Sequence, residues 1–304
     1  MSRIHEALKR AAQERFTQLA GGLEAGVAEV AGEIRRSVTG ASHVAGPAAP
    51  SWVVAAGHQA VPLCYEELVV RCTHPEWRLD PLNSAFQDPK IGQGVSERFR
   101  TLRSRLYQLA SSRTMRRLLV TSSVAGEGKT FVSSNLAQSI VQQRDMRVLL
   151  VDADIRLSRL HATLGAPSCP GLSDYLRGEV NEFEVIQKGM EENLCLIPGG
   201  SQVANPSELL LGERMRHLLD FVTPIFDWVI LDSPPAMPVP DASILAGLVD
   251  GVLLVVQAGF THVATAEKTA TEFQGHNLLG VVLNQVEKSD SCSDYYHNYQ
   301  TERI

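Results

Sequence analysis

The sequence predicts an α/β fold: a doubly wound, mostly parallel sheet flanked by helices, with a helical N-terminal extension and a flexible C-terminal tail. The first observation behind this prediction is that six short apolar runs follow one another between residues 116 and 286. Each run is apolar throughout rather than alternating, as expected for strands buried on both faces of a parallel sheet. The second observation is that helical patterns separate several runs, which is the βα rhythm of an open sheet with right-handed crossovers.

The predicted domain covers residues 95–286, and its elements alternate along the chain. The predicted strands are 116–123, 147–154, 194–200, 227–233, 251–257 and 280–286. The predicted helices between them include 130–143, 207–222 and 262–275. A further helix near the start of the domain has an apolar stripe made of Val95, Phe99, Leu102 and Leu106.

The segments outside this domain have a different composition. Residues 1–36 carry apolar side chains at helical spacing, which predicts one or two amphipathic helices. Such a helix packs on a neighbouring element or self-associates in the ordinary interpretation, and in the alternative it docks on a protein or on a membrane surface. Its mixed charge favours a protein. Residues 37–94 are predicted to be a linker followed by an extended lead-in, because 37–65 contains no Asp, Glu, Lys or Arg. Residues 287–304 are polar without either period and predict a flexible tail.

The bulk composition is that of an ordinary globular protein, with 44% hydrophobic and 20% charged residues and a net charge of -6. That negative charge argues against a general nucleic-acid partner. The N-terminus has no signal-peptide pattern and no apolar run is long enough to cross a bilayer, which predicts a cytoplasmic location. Five cysteines without a CxxC pair fit a reducing compartment.

One group of residues invites a metal-binding interpretation. His58, Cys64, Cys72 and His74 are the four side chains that zinc commonly takes in proteins. Their spacing matches no common zinc finger, so the ordinary interpretation as loop residues is favoured.

A phosphate-binding loop is predicted where the first strand runs into SSVAGEGKT (122–130) and a helix follows. Gly126 and Gly128 allow the backbone N–H groups to turn inward at the positive end of that helix. Lys129 is expected to bridge the β- and γ-phosphates of ATP, and the Thr130 hydroxyl is expected to join a Mg²⁺ shell. Ser123 stands where the usual pattern has glycine. The predicted nucleotide-binding residues of this P-loop are Ser123, Val124, Ala125, Gly126, Glu127, Gly128, Lys129, Thr130 and Phe131.

Three aspartates end two of the predicted strands. Asp152 and Asp154 close the second strand in LLVDADIR, and Asp232 closes the fourth in DWVILDSPP. Ligands of open α/β sheets lie beyond the carboxyl ends of the strands, so all three carboxylates are expected to face the phosphates and Mg²⁺. Any one of them has an alternative role as a helix cap.

These motifs resemble, over residues 91–304, the bacterial protein-tyrosine kinases of capsule and exopolysaccharide production. SSVAGEGKT is similar to their Walker A motif, LLVDADIR to Walker A′ and WVILDSPP to Walker B, and ANPSELL (204–210) and LGVVLNQV (279–286) are similar to recurrent segments. Half of the six tyrosines lie within the last ten residues, as Tyr295, Tyr296 and Tyr299. The resemblance implies a P-loop NTPase-like kinase that uses ATP and Mg²⁺ to phosphorylate this cluster, mainly on a neighbouring subunit.

The resemblance also implies roles for individual residues. Lys129, Asp152, Asp154 and Asp232 are the candidate catalytic residues, and Thr130, Asp154 and Asp232 are the candidate metal ligands. Asp152 is the candidate base for the incoming phenol, although Asp152 and Asp154 could exchange roles. Asn284 is expected at the adenine. SERFRTLR matches a family motif for subunit association, which assigns Glu97, Arg100 and Arg103 to an oligomer contact.

The setting implied by the resemblance is a kinase without its own membrane anchor. A separate transmembrane protein similar to a chain-length regulator is expected to activate it and to recruit it to the inner face of the plasma membrane. Two other functions stay open. One is an ATPase switch of the septum-positioning or partition type, but that class has a lysine early in the loop where this chain has Val124. The other is a non-catalytic ATP-binding adaptor.

Overall fold

The computed structural model describes residues 63–79, 81–86, 92–189 and 193–286. The predicted N-terminal helix (1–36), residues 37–62 of the linker and the tyrosine tail (287–304) lie outside the described residues. Within the described part, no helix combines the length and the apolar character needed to span a membrane.

The sheet has seven strands, and all neighbouring pairs but one are parallel. The strands are β1 (Arg117–Ser122), β2 (Val148–Asp152), β3 (Gln187–Lys188), β4 (Leu194–Ile197), β5 (Trp228–Asp232), β6 (Gly251–Gln257) and β7 (Leu278–Asn284). Their spatial order is β3-β4-β2-β5-β1-β6-β7, with β3 antiparallel to β4. The predicted fold class is therefore confirmed, and each of the six predicted strands corresponds to an observed one. The seventh, β3, was not predicted because it has two residues and no apolar run.

Helices cover both faces of this sheet. They are α1 (Tyr65–Arg71), α2 (Gly92–Ala110), α3 (Lys129–Val141), α4 (Leu160–Leu164), α5 (Leu172–Leu176), α6 (Glu182–Val185), α7 (Pro206–Leu211), α8 (Glu213–Val222), α9 (Asp241–Ala246) and α10 (Val263–Phe273). The single helix predicted over 207–222 is wrong in one respect. It divides at Gly212, whose extended backbone (φ -64°, ψ 157°) ends α7 and begins α8.

The extended lead-in predicted for residues 66–94 also differs from the structure. Helix α1 occupies its beginning, and α2 starts before its end, at Gly92. Tyr65 and Leu68 are buried in one apolar layer, and Trp77 is buried in the other. The helical period is hard to recognise over seven residues, and α1 owes its stability to burial against distant parts of the chain.

Two apolar layers sandwich the sheet. Adjacent residues of a strand belong to opposite layers: Leu118 and Leu150 lie in one, and Leu119 and Leu149 lie in the other, all fully buried. This arrangement explains why the strands are apolar at every position rather than at every second one.

The strand register brings the functional motifs together. β5 lies between β1 and β2, and Asp232 is opposite both Val120 of β1 and Asp152 of β2. Because these three strands are parallel, their carboxyl ends open on the same edge of the sheet. The phosphate loop that follows β1 therefore lies beside the two aspartate-bearing strand ends.

Two of the four candidate zinc ligands, Cys72 and His74, lie close together. His74 Nε2 lies 2.7 Å from the Val69 carbonyl oxygen and 3.9 Å from Cys72 Sγ. No three His, Cys, Asp or Glu side chains are placed to hold a metal ion by themselves in the ranges that the structure describes, and His58 lies outside those ranges.

Candidate active site

The phosphate loop bends through two glycines in the left-handed region. Gly126 has φ +90° and Gly128 has φ +89°, values that L side chains rarely adopt. Gly128 is required for a second reason, because a Cβ atom there would lie 2.1 Å from the Asn284 side-chain nitrogen. The loop then passes directly into α3, whose first residue is Lys129. Backbone N–H groups at such a helix start form an anion-binding site.

Glu127 is a buried brace inside the loop, with no exposed surface. Its Oε2 accepts a hydrogen bond from the Val124 N–H at 2.7 Å. Its Oε1 accepts from the Thr261 hydroxyl and from the Gln257 N–H at 3.3 Å. The carboxylate thereby ties the loop to the turn that follows β6. From the sequence, Glu127 was predicted to bind the nucleotide, and its role as a brace was not predicted. The signal available in the sequence is a charged residue between two glycines.

Asn284 ends β7 and lies against the same loop. Its side-chain N–H donates to the Glu127 carbonyl oxygen at 2.9 Å. The adenine contact that the family resemblance implies for Asn284 stays a prediction. What the structure places there is a second tie on the loop.

Lys129 connects the loop to the end of β2. Its Nζ lies 3.1 Å from Asp154 Oδ2, and both side chains are mostly buried. Burial by itself lowers the pKa of Lys129, but the nearby carboxylates of Asp232 and Asp154 outweigh it, and the pKa is raised. Lys129 is therefore a permanent cation beside the loop.

Asp232 holds the first turn of α3. One of its carboxylate oxygens accepts from the Thr130 hydroxyl at 2.7 Å, and the other accepts from the Ser133 hydroxyl at 3.1 Å. Burial raises the pKa of Asp232, while the Lys129 charge and the two hydroxyl bonds oppose the rise. Ser133 escaped the sequence analysis, although it lies three residues after Thr130 and hence on the same side of the helix.

Asp152 uses one oxygen and leaves the other free. Its Oδ2 accepts from the Ser158 hydroxyl at 2.7 Å, the Leu160 N–H at 2.9 Å and the Arg159 N–H at 3.1 Å. Its Oδ1 is buried and has no hydrogen-bond partner among the described residues. Burial, and next the charge of Asp232, raise the pKa of Asp152. Asp152 thus caps the start of α4, the alternative role considered from sequence, and still presents an unused oxygen.

The loop and the strand ends fit a nucleotide phosphate and a Mg²⁺ ion. Besides the inward-turned loop and the cation, the Ser123 hydroxyl and Asp152 Oδ1 are buried oxygens without partners in the described ranges. The Thr130 hydroxyl is bonded to the Asp232 carboxylate, and the Asp154 carboxylate is paired with Lys129. Mg²⁺ in nucleotide sites takes one or two carboxylates together with phosphate oxygens and water, so this donor set suits it.

An ion-pair network behind the site was not predicted. Arg156, within the LLVDADIR motif, donates to both carboxylate oxygens of Asp241, at 2.6 Å and 3.1 Å. Ser207 bonds to both partners, at 2.8 Å from the Arg156 guanidinium and 2.5 Å from the Asp241 carboxylate. Asp241 is completely buried. The network joins the segment after β2 to the starts of α7 and α9.

The residues predicted for subunit contact lie on α2, a helix that packs on α3 through Phe99 and Phe131, whose ring centroids are 5.9 Å apart. Arg100 pairs with Glu97 one turn earlier, and both are exposed. Arg103 instead donates to the Ser139 carbonyl oxygen of α3 within the same chain. An oligomer contact through Glu97, Arg100 and Arg103 stays a prediction. Tyr295, Tyr296 and Tyr299 lie outside the described residues.

Comparison with known proteins identifies the family. Residues 115–274 match the model of the AAA domain family. The tyrosine-protein kinase CpsD of Streptococcus agalactiae is 33% identical over 225 residues, which are 73% of this chain and 96% of CpsD. The chain belongs to the bacterial tyrosine-protein kinases. Tyrosine-protein kinase Etk of Escherichia coli is 36% identical over 205 residues, 66% of this kinase chain. The match spans only 28% of the length of Etk.

Solved structures agree with this assignment. The kinase domain of Escherichia coli tyrosine kinase ETK superposes with a TM-score of 0.59 at 33% identity, covering 64% of this chain and 78% of that domain. The family recognised from the motifs is therefore confirmed.

Proposed function

We propose that this chain is an ATP-dependent protein-tyrosine autokinase that phosphorylates its own C-terminal tyrosine cluster, Tyr295, Tyr296 and Tyr299. The observation that carries the proposal is the free oxygen of Asp152. It is buried and has no partner among the described residues, and one strand, β5, separates its own strand β2 from β1, which the phosphate loop follows. Such an oxygen can take the proton of an attacking hydroxyl. The 33% identity to the tyrosine-protein kinase CpsD supports a phenol as that hydroxyl, rather than water.

In the proposed reaction the phenolic oxygen of a tail tyrosine attacks the γ-phosphorus of ATP. A new phosphorus–oxygen bond forms to the tyrosine, the bond to the bridging β–γ oxygen breaks, and ADP leaves. The phenol proton passes to Asp152 Oδ1. A free tyrosine has a pKa of about 10, so a carboxylate base is useful at neutral pH. The raised pKa of Asp152 makes it a stronger base than an exposed aspartate.

The remaining residues bind and orient the phosphates. Lys129 and the N–H groups of the loop neutralise charge that develops on the transferring group, which is the main source of catalysis in phosphoryl transfer. Thr130, Asp154 and Asp232 are the residues that would hold Mg²⁺. When bound, the ion would supply further neutralisation of the phosphate charge. Asp232 also fixes the Thr130 hydroxyl through its 2.7 Å bond.

Transfer is proposed to occur between subunits of a homo-oligomer, through the α2 face that carries Glu97 and Arg100. Each phosphotyrosine adds about −1.5 to −2 charges. A phosphorylated tail is therefore repelled by the acidic site, which favours its release and disassembly of the oligomer. We further propose that a transmembrane activator recruits the kinase to the inner face of the membrane and that the cycle regulates exopolysaccharide or capsule synthesis. Membership of the tyrosine-protein kinase family supports this setting.

The experiment is phosphate mapping on the purified full chain. Incubation with Mg-ATP, followed by mass spectrometry, is expected to give phosphotyrosine at residues 295, 296 and 299. Lys129→Met and the triple Tyr→Phe variant are expected to give none. Robust ATP hydrolysis without tail phosphate would indicate the positioning-switch function instead. Phosphate on the tail of Lys129→Met in cells lacking the wild-type chain would indicate an adaptor modified by another kinase.

A dilution series tests the transfer between subunits. The initial rate per chain is expected to fall as the chain is diluted, because fewer subunits are then associated. A rate per chain that is independent of concentration would contradict transfer between separable subunits.

A further inference from the structure

A short chain of hydrogen bonds ends on the carboxylate of Asp152. The Ser158 hydroxyl lies 2.7 Å from Asp152 Oδ2, and His161 Nδ1 lies 3.1 Å from the same hydroxyl oxygen. Asp152 ends β2, Ser158 lies in the segment that leads into α4, and His161 is the second residue of α4. None of the motifs used for the functional proposal includes Ser158 or His161.

Hydrogen-bond chemistry fixes the direction of this chain. A serine hydroxyl has one hydrogen, and an ionised carboxylate only accepts. The Ser158 hydrogen therefore points to Asp152, so His161 must donate its Nδ1–H to the Ser158 oxygen. The pKa of His161 is lowered by partial burial, which favours the neutral ring. In that ring the Nδ1–H tautomer is the one that completes the chain.

The result is that every donor converges on one oxygen. The Ser158 hydroxyl and the N–H groups of Arg159 and Leu160 all point to Oδ2. The Gly199 backbone approaches Ser158 closely, because a Cβ atom there would lie 2.6 Å from Ser158 Oγ. The Ser158 hydroxyl, held by His161, adds a third hydrogen bond to Asp152 Oδ2, which opposes rotation of the carboxylate.

We propose that Ser158 and His161 are positioning residues, which clamp Oδ2 of Asp152 so that Oδ1 faces the acceptor tyrosine. The inference rests on the proposed function, in which Oδ1 takes the phenol proton. It predicts that weakening the clamp slows the chemical step and leaves the binding of nucleotide and acceptor intact. A rotating carboxylate is less often in the reactive geometry, and the loss appears in kcat.

The test separates enzyme and acceptor in two full-length chains. The enzyme chain carries the triple Tyr→Phe tail, so that it cannot phosphorylate itself there. The acceptor chain carries Lys129→Met and the natural tail. Transfer between them gives kcat and KM, and a fluorescent ADP analogue gives the nucleotide Kd. Ser158→Ala, Ser158→Thr, His161→Asn and His161→Phe are introduced into the enzyme chain.

Ser158→Ala is expected to lower kcat by roughly 10- to 100-fold, which is the size of one hydrogen bond to a charged group. KM and the nucleotide Kd should change by less than about twofold. Ser158→Thr retains the hydroxyl and should restore most of kcat. His161→Asn retains a hydrogen-bond donor, so its kcat should be higher than that of His161→Phe. Thr163→Ala is the matched control, because it removes a hydroxyl that bonds only to the Arg159 carbonyl oxygen in the same helix.

The outcomes distinguish the two proposals. No transfer by the parent enzyme chain would count against the proposed function itself. An active parent with an unchanged kcat in Ser158→Ala would overturn the clamp. A loss in Ser158→Ala that is matched by Thr163→Ala, that Ser158→Thr does not restore, or that appears equally in the nucleotide Kd would mean that Ser158 only stabilises α4.

Discussion

Asp152 and Asp232 lie opposite each other on neighbouring parallel strands, and both carboxyl groups are buried. Both carboxylates act on Lys129, and the Lys129 charge opposes the rise in the pKa of Asp232. Asp152 relies on hydrogen bonds to a single oxygen. The pair therefore concentrates negative charge at the strand ends, where a cation and phosphates are to be bound.

This relationship predicts how stability depends on pH. An unfolded aspartate has a pKa of about 3.9, and burial raises the pKa of Asp152 in the folded chain. At pH values between the pKa of the unfolded state and the raised pKa of the folded state, the folded chain holds a proton on Asp152 that the unfolded chain has lost. Asp152 therefore lowers the stability as pH rises through that window, and the whole penalty is present above it.

Asp152→Asn removes this penalty and should raise the melting temperature at pH 8. Each kcal/mol corresponds to roughly 2–4 °C for a domain of this size. The gain should shrink as pH falls toward 4. Asp220→Asn is the control: its side chain is 70% exposed and pairs with Arg117, so it should produce no such gain. A gain for Asp152→Asn that is the same at pH 4 and pH 8 would contradict the assigned cause.

The brace formed by Glu127 predicts a loss of both stability and nucleotide affinity. Glu127→Ala leaves the N–H groups of Val124 and Gln257 and the Thr261 hydroxyl without their acceptor. Each buried donor left unpaired costs about 1–3 kcal/mol. We expect a nucleotide Kd at least about tenfold weaker by calorimetry, and a lower melting temperature.

Two variants sharpen this test. Glu127→Gln retains one acceptor oxygen, so its nucleotide Kd and its melting temperature should lie between those of the wild type and Glu127→Ala. Glu76→Ala removes a glutamate whose side chain is 90% exposed and should leave both quantities unchanged. An unchanged Kd in Glu127→Ala would mean that the loop holds its shape without the brace.

The two loop glycines should respond differently to alanine. Gly126→Ala meets no atom within 4 Å and incurs only the left-handed backbone strain, about 1–2 kcal/mol. Gly128→Ala has the same strain and also collides with the Asn284 side chain, so its nucleotide affinity should fall further. Adding Asn284→Ala should recover part of that extra loss. No recovery in the double variant would mean that Asn284 is not the obstacle.

The Arg156–Asp241 pair predicts a strong coupling. Arg156→Ala leaves the fully buried Asp241 carboxylate without its cationic partner. We expect a loss of stability at the lower end of about 3–5 kcal/mol because the Arg156 side chain is 34% exposed. Asp241→Asn in the same chain should recover part of it. A double-mutant cycle by urea unfolding measures the coupling, and additive losses would argue against it.

The strands were predictable because a strand that is buried on both faces of the sheet requires a continuous run of apolar residues. VLLVD in β2 is such a run, closed by Asp152. β3 was not predictable, since Gln187 and Lys188 form a strand only by pairing with Leu196 and Cys195. The same reason applies to α1, whose buried Tyr65 and Leu68 meet residues far away in the chain.

The residues of the site also fall into a predictable and an unpredictable group. The loop glycines, Lys129, Thr130 and the strand-end aspartates follow short patterns, and the register of β1, β2 and β5 brings them to one edge. Their supporting partners follow no pattern. Thr261 lies 134 residues from the Glu127 carboxylate that it contacts.

The sequence by itself determined the fold class, the family and the chemical types at the site, because phosphate binding and strand burial depend on residues that are close along the chain. Only the tertiary structure decided that Glu127 braces the loop, that Arg103 turns inward, and that Asp152 has one engaged and one free oxygen. Those facts depend on which atoms meet when distant segments pack, and no local pattern contains that information.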